Sequence, residues 1–277
     1  MDTFSNFTIA TYNIQFGINT QKIVQNIKKM AEDGAQIFCL EEIINTPDKE
    51  FILDIILKKL GHNWKTIYHV GEEASRLSIG TAILWDTTIL ELTHEEKILL
   101  PKLKKFDLHE KLYYRIVGIP GIPLQRRVTV GNFIYKHIPI RITCVHIDNV
   151  GGPRHRIKQI TYLLAKLNKK GKAQHEIISG DFNTFDLLKT GYEKKLLQKK
   201  FGKDFIDASA YVGWTSDIYN IDFQTSIKFF PWFIKAFNIH IRRRLDYIWV
   251  KNLKIITCKK ITVPGSDHFP IFAKIKI

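Results

Sequence analysis

The stretch Val128–Ile147, VTVGNFIYKHIPIRITCVHI, decides the fold. It holds two strand candidates, Val128–Ile134 and Ile138–Ile147, separated by turn residues. Trp64–Val70, Ile79–Trp85 and Leu112–Val117 have the same character. Apolar, β-branched runs that follow one another through short turns are the pattern of hairpins. This much hairpin character argues against a purely parallel, doubly wound sheet.

Upstream, strand and helix patterns alternate. Phe7–Ile14 reads as a strand leading into Gly17, and Thr20–Glu32 as a helix with Ile23, Ile27 and Met30 on one face and Gly34 as its C-terminal cap. Gln36–Leu40 is a short apolar run ending in acid. Asp48 after Pro47 can cap a second helix with Phe51, Ile55, Ile56 and Leu60 inward, closed by Gly61. Downstream come a helix at Arg154–Lys169 (Ile157, Ile160, Leu164 and Leu167 on one face), a strand at Glu176–Ser179 and a helix over Phe185–Lys200. Three strand candidates close the chain: Leu245–Val250, Lys254–Val263 and Phe269–Ile277. With no repeat, low-complexity segment or linker, a single domain over residues 1–277 is expected, a layered α/β sandwich with largely antiparallel pairing.

Hydrophobic content of 45% and charged content of 25% exclude a mostly disordered chain. The net charge of +15 attracts polyanions. It also has a second reading, because the excess of Lys over Arg and the abundance of Ile suit AT-rich codon usage. Cys39, Cys144 and Cys258 each sit in an apolar run without metal-type spacing and read as small buried hydrophobes on strands. That usage fits a reducing compartment. The first residues lack a basic, then apolar, secretory pattern, so a cytoplasmic protein is expected. No uncharged apolar run reaches the roughly 18 residues of a membrane-spanning helix.

Polar residues that suit phosphate chemistry recur where apolar strands end. They are Asn13 in TYNI, Glu41 and Glu42 in CLEEI, His146 and Asp148 in CVHID, Asp181 and Asn183 in SGDFN, Asp246 in RRLDYIWV, and Asp267 and His268 in GSDHFP. Each alone is an ordinary turn or strand terminus; together they bring carboxylates, two histidines and two asparagines beside hydrophobic strands. Hard carboxylate oxygens bind Mg2+ or Mn2+. The chain has no HExxH, P-loop or GxSxG pattern, which argues against a zinc protease, a P-loop ATPase and the usual serine hydrolase.

In their order along the chain, TYNI, LEEI, HID, GDFN, RLDYIW and SDHFP resemble the motif set of the endonuclease/exonuclease/phosphatase superfamily, over Thr11–Pro270. The resemblance implies the deoxyribonuclease-I-like fold, an α/β (α+β) four-layer sandwich of two mostly antiparallel β-sheets flanked by helices. It implies a Mg2+- or Mn2+-dependent phosphoesterase in which Glu42 is the main metal carboxylate, with Asn13 and Asp267 beside it. Asp181 would orient and deprotonate the attacking water, and Asn183 would help to position it. His268 would contact the phosphoryl oxygens while Asp246 holds its imidazole, and His146 would be a second histidine at the scissile phosphate. The family usually has Gln-Glu where this chain has Glu41-Glu42, which leaves the metal carboxylate open by one position. Arg126, ahead of Arg127, is a candidate phosphate contact, against a reading as a solvated basic turn. HIDNVGGPRHRIKQ resembles a bacterial variant in which Arg156 and Gln159 open the next helix, Arg156 either touching substrate or bracing the loop.

One segment fits no motif. Ile227–Ile241, IKFFPWFIKAFNIHI, lies in an aromatic-rich insertion near 223–241. Its aromatics and lysines suit an interfacial anchor, a base-stacking flap or an insertion packed on the core. The expected partner is nucleic acid or another phosphate ester, and the expected state a monomer. The main alternative is a phosphoinositide or phospholipid hydrolase in peripheral contact with an anionic membrane. A catalytically inactive binding module is a third reading, opposed by the complete acid and histidine set.

Overall fold

In a computed structural model, described over residues 6–45, 50–71, 78–106, 108, 111, 125–169, 171, 173–184, 191–220 and 229–277, the strand alternations are filled on both sides. Strand β1 (Asn6–Asn13) turns Phe7 and Ile9 one way and Ala10 and Tyr12 the other. Strand β2 (Ile37–Asn45) does the same with Ile37 and Cys39 against Phe38 and Leu40. A strand apolar on both faces must be covered on both faces. Helices α1 (Thr20–Glu32) and α2 (Ile52–Leu60) cover the outer face through Ile23, Ile27, Leu53 and Ile56.

With β3 (Trp64–Val70), β4 (Ser78–Asp86), β13 (Lys254–Lys260) and β14 (Ile271–Lys276), these strands form a six-stranded sheet in the order β13-β14-β1-β2-β4-β3. The second sheet, β5-β6-β7-β8-β12-β9, also has six strands. It comprises β5 (Leu90–Leu99), β6 (Arg127–Tyr135), β7 (Ile138–His146), β8 (His175–Asp181), β9 (Phe205–Asp207) and β12 (Asp246–Lys251). Pairing is antiparallel except for β1 with β2 and β7 with β8. The decisive hairpin is there: β6 pairs antiparallel with β7, from Thr129 opposite Cys144 to Tyr135 opposite Ile138.

Phe133, Ile140, Ile142, Cys144, Ile177 and Ile248 face Phe7, Ile9, Cys39, Ile83 and Ala273 in the core between the sheets. On the other side of the second sheet, α3 (Gly152–Lys169) and α4 (Tyr192–Phe201) bury Ile160, Leu163, Leu167, Leu197 and Phe201. Phe201 stacks on Trp249 at 4.2 Å. The result is a four-layer sandwich, helix, sheet, sheet, helix.

Several expectations need correcting. Glu41 and Glu42 do not follow the end of β2; the strand runs on to Asn45 through an irregularity. Strand β5 was not foreseen, because at the sheet edge it alternates few apolar residues with exposed Glu91, Glu95 and Thr93-type polar positions. Short strands β9, β10 (Ser216–Asp217) and β11 (Arg242–Arg243) carry too few residues to leave a pattern. Helix α4 is described from Tyr192; Phe185–Thr190, the cap at Asp48 and the strand expected at Leu112–Val117 lie outside the described residues. The cysteines are free; Cys39 and Cys144 are buried, whereas Cys258 is only half-buried on the edge strand β13.

Ile142 is fully buried between the sheets. Truncation there removes transfer energy and leaves a cavity between two stiff layers. Ile142→Ala is expected to lower the unfolding free energy by about 2–5 kcal/mol, read from the urea midpoint at unchanged slope.

Candidate active site

Strands β7, β8 and β12 end at one level: His146 is in register with Asp181, and Asp181 with Asp246. Three neighbouring strands thus present three polar side chains side by side. Asp181 is buried and both its oxygens are held. Its Oδ2 accepts the Asn13 side-chain amide at 3.0 Å from the other sheet, and its Oδ1 accepts the Asn183 backbone N–H at 2.8 Å. Asn183 sits at φ 49°, a left-handed position that Asn tolerates, and its side-chain amide donates to the Ile147 carbonyl. Asn13 Oδ1 in turn accepts the Gln15 N–H.

The acidic pair in β2 divides at a bulge. Leu40 pairs with Ala82 and Ile43 with Gly80, so Glu41 and Glu42 together oppose one residue of β4. Bulges re-aim side chains in this way. Glu41 stays in the inter-sheet alternation, fully buried, accepting from the Thr11 hydroxyl at 2.9 Å and the Cys144 thiol at 3.4 Å. Burial raises its pKa well above the carboxylate range. Glu42, at φ 57°, is turned to the strand ends, with Oε1 at 3.6 Å from His146 Nε2.

His268 lies in the loop before β14. Its Nδ1 is 2.9 Å from Asp246 Oδ2 and its Nε2 is 3.9 Å from Asp181 Oδ2. Asp246 also accepts the Thr215 hydroxyl at 2.6 Å, and Ser266 bonds both the Asn13 carbonyl and the His268 N–H. Thr215 carries no motif of its own that would mark it in the sequence; Ser266 lies inside GSDHFP, where a serine before Asp-His is an ordinary turn residue. Arg126 reaches the cluster, its Nη1 3.3 Å from His146 Nδ1 and its Nε donating to Asp148 at 3.0 Å. Arg156 does not reach it: buried on α3, it pairs with Glu193 at 2.7 Å and braces α3 against α4.

Electrostatics separate the two histidines. Burial disfavours charge on His268, but Asp246 and Asp181 outweigh it and hold the pKa well above the usual value. His146 has burial, Arg126 and His268 all acting downward, so it is neutral. Burial raises Glu42 to about 7, with Asp267 adding to the rise, and burial raises Asp181 to about 7 as well. Asp267 is also raised, chiefly by burial. Buried carboxylates outnumber the cations beside them, and their oxygens are hard donors, so the donor set suits a divalent cation. Among the described residues, Asp181, Asp246 and His268 bring ligand atoms within 4.8 Å of one another. Within this group, His268 Nδ1 is already bonded to Asp246.

The site is thus a polar cluster at aligned strand ends that combines crowded carboxylates with one charged and one neutral histidine. The chain belongs to the endonuclease/exonuclease/phosphatase family, whose model matches residues 10–268. The chain is similar in structure to a family member from Leptotrichia buccalis C-1013-b, with a TM-score of 0.71 at 18% identity over 98% of this chain and 100% of that one. It is similar to D. rerio TDP2 complexed with a single-strand DNA product, with a TM-score of 0.67 at 14% identity over 99% and 100%. A mannosyl-6-phosphatase from Bacteroides thetaiotaomicron gives a TM-score of 0.66 at 16% identity over 97% and 99%. No curated protein matches the sequence.

Gly180 precedes Asp181 at φ 141°, and a Cβ there would lie 2.0 Å from the Val145 carbonyl oxygen. Neither strand can retreat without moving His146 or Asp181. Gly180→Ala is expected to cost at least about 2 kcal/mol, measured by urea unfolding, while Gly202→Ala, with nothing within 4 Å of its Cβ, costs less.

Proposed function

We propose that the chain hydrolyses phosphodiester bonds in nucleic acid, by attack of water on phosphorus with Mg2+ or Mn2+ as cofactor. The observation that carries this reading is the clamping of Asp181 between Asn13 and the Asn183 N–H, with charged His268 and neutral His146 both aimed at it.

Asp181 takes the proton from the attacking water. Burial raises its basicity, and general-base catalysis of this kind contributes about 10²–10⁴-fold. Its two fixed oxygens set the line of attack. His268, charged and tied to Asp246, offsets negative charge on the phosphoryl oxygens. His146 donates a hydrogen bond to the same group. Glu42 and Asp267 would hold the cation, with Asn13 alongside; when bound, it supplies Lewis-acid stabilisation of the phosphoryl oxygens. The net charge of +15 supports nucleic acid as substrate, since neutralising phosphates is the sequence-independent part of such binding. The TDP2 relative bound to single-strand DNA product points the same way.

A second reading, a phospholipid or phosphoinositide hydrolase at an anionic membrane, is favoured by one feature. Helix α5 (Phe229–Ala236) and the residues after it expose Trp232, Phe233, Phe237 and Ile241 beside Lys235 and Arg242. Aromatics and cations together suit the lipid interface. Among the described residues no helix is long and apolar enough to cross a membrane.

The test is a substrate panel with Mg2+ or Mn2+: plasmid DNA, abasic duplex, single-stranded DNA, RNA, phosphoinositides, sphingomyelin and a sugar phosphate. Cleavage of nucleic acid is expected, abolished by EDTA and reduced about 100-fold or more in Asp181→Asn and His268→Ala. Cleavage confined to lipids selects the second reading, and activity that persists in both variants overturns the site. Separately, Mg2+ or Mn2+ is expected to raise the Tm of the parent and of Glu41→Gln but not of Glu42→Gln. A cation shift lost in Glu41→Gln instead would exchange the two glutamates.

A further inference from the structure

Asp148 stands one step behind the cluster, and its carboxylate gathers three donors. Arg126 Nε lies at 3.0 Å from Oδ1, while His155 Nε2 and Gln159 Nε2, both on α3, lie at 2.8 Å from Oδ2. The Asp148 N–H donates to Gln159 Oε1 at 3.0 Å, and Gln159 also donates to the Pro101 carbonyl. The carboxylate and its α3 partners are buried: Asp148 is 4% exposed, Gln159 0% and His155 9%. The arrangement fixes the plane of the Arg126 guanidinium, and its Nη1 is thereby aimed at His146 Nδ1, 3.3 Å away.

A guanidinium has only donors. The His146 Nδ1 that faces it must therefore accept, and so carries no proton. A second ring proton on Nδ1 would point an N–H at the guanidinium N–H, which the 3.3 Å contact does not admit. The single ring proton is then on Nε2, the nitrogen that faces Glu42 Oε1 at 3.6 Å and Asp181 Oδ2 at 3.8 Å. Both distances exceed a direct hydrogen bond, so neither carboxylate captures this N–H.

We propose that Asp148 is a positioning residue: held by His155 and Gln159, it aims Arg126 at His146 and fixes that ring as a neutral donor with its proton on Nε2. Which nitrogen of an imidazole carries the proton is set by the bond the other one makes. On this reading Arg126 serves the reaction through His146. The catalytic consequence rests on the phosphoesterase reading above; the tautomer does not.

A brace that merely joins loops would be indifferent to the His146 proton, and this separates the two roles. Long-range 1H–15N correlation spectra of the ring nitrogens, with His146 assigned by comparison with His146→Gln, are expected to show the Nε2–H form in the parent. Asp148→Asn, which offers three donors one acceptor oxygen fewer, is expected to lose that fixed form. In it kcat falls about 10–100-fold, with KM within about threefold and the fold retained. Should Asp148→Asn fail to fold, His155→Ala and His155→Gln supply the second arm. The first loses a donor to Asp148 and shows a mixed tautomer with reduced kcat; the second keeps a donor and restores both. A parent spectrum with the proton on Nδ1 or on both nitrogens, or an Asp148→Asn variant with unchanged tautomer and kcat, overturns the proposal. If no substrate is cleaved but the parent shows Nε2–H and His155→Ala loses it, the relay stands and the function is what fails.

Discussion

The hydrogen bond from Asn13 to Asp181 joins the two sheets at the point where the chemistry gathers. Asn13 ends β1 of the first sheet, and Asp181 ends β8 of the second. Their side chains meet only if both sheets end at one level and their inner faces pack without slippage. A one-residue register shift in β8 would turn Asp181 to the opposite face, separate it from Asn13 and break its alignment with His146 and Asp246. Packing between the sheets by Ile9, Cys39, Ile142, Cys144 and Ile177 therefore sets the position of a carboxylate some distance from it. Gly180, which alone allows β7 and β8 to approach as they do, belongs to the same constraint.

Charge imposes the second constraint. Glu42, Asp181, Asp246 and Asp267 crowd one region, Asp181 and Asp246 buried and the other two half-buried, and removing a carboxylate from water costs several kcal/mol unless it is paired. Asp246 is paired, by His268 and Thr215. Asp181 has neutral amide partners and a histidine at 3.8 Å or more on either side. Burial raises the pKa of Glu42 and Asp267, and the Asp267 charge adds to the rise at Glu42. Such an imbalance is unfavourable for stability alone and suited to a site that receives a cation. Glu41 makes the contrast: one residue away in sequence, it faces the core, where its Oε1 accepts from Thr11 and Cys144 and burial raises its pKa well above the carboxylate range.

Much of this was legible in the sequence. The helices α1 and α3, the β6–β7 hairpin and the strands that carry Asn13, Asp181 and Asp246 follow from apolar periodicity, and they bring the motif residues together. What could not be read has specific physical causes. The bulge at Glu41–Glu42 depends on a register with β4 that no local pattern encodes. Strand β5 is an edge whose exposed face is as polar as a loop. Thr215 acts through hydrogen bonds with Leu245 and Asp246, and His155 through one with Asp148, and neither residue type is diagnostic alone. Arg156 shows the converse: its place beside the histidine motif suggested phosphate, but Glu193 on α4 claims its guanidinium.

His146 and His268 direct Nε2 atoms at one oxygen of Asp181, from 3.8 and 3.9 Å, and differ in charge because of what lies behind them. Behind His268 is a carboxylate, Asp246, which accepts from Nδ1 and stabilises the imidazolium. Behind His146 is a guanidinium, which donates to Nδ1 and excludes a second proton. Two identical side chains become a cation and a neutral donor with no difference in their own burial, since both are almost fully enclosed. A pair of imidazolium ions would repel each other across Asp181 and neutralise the carboxylate proposed as base. A pair of neutral rings would leave developing phosphoryl charge without a protein cation. In the proposed hydrolysis, the asymmetry would keep one positive charge at the phosphoryl position and leave Asp181 free to accept a proton.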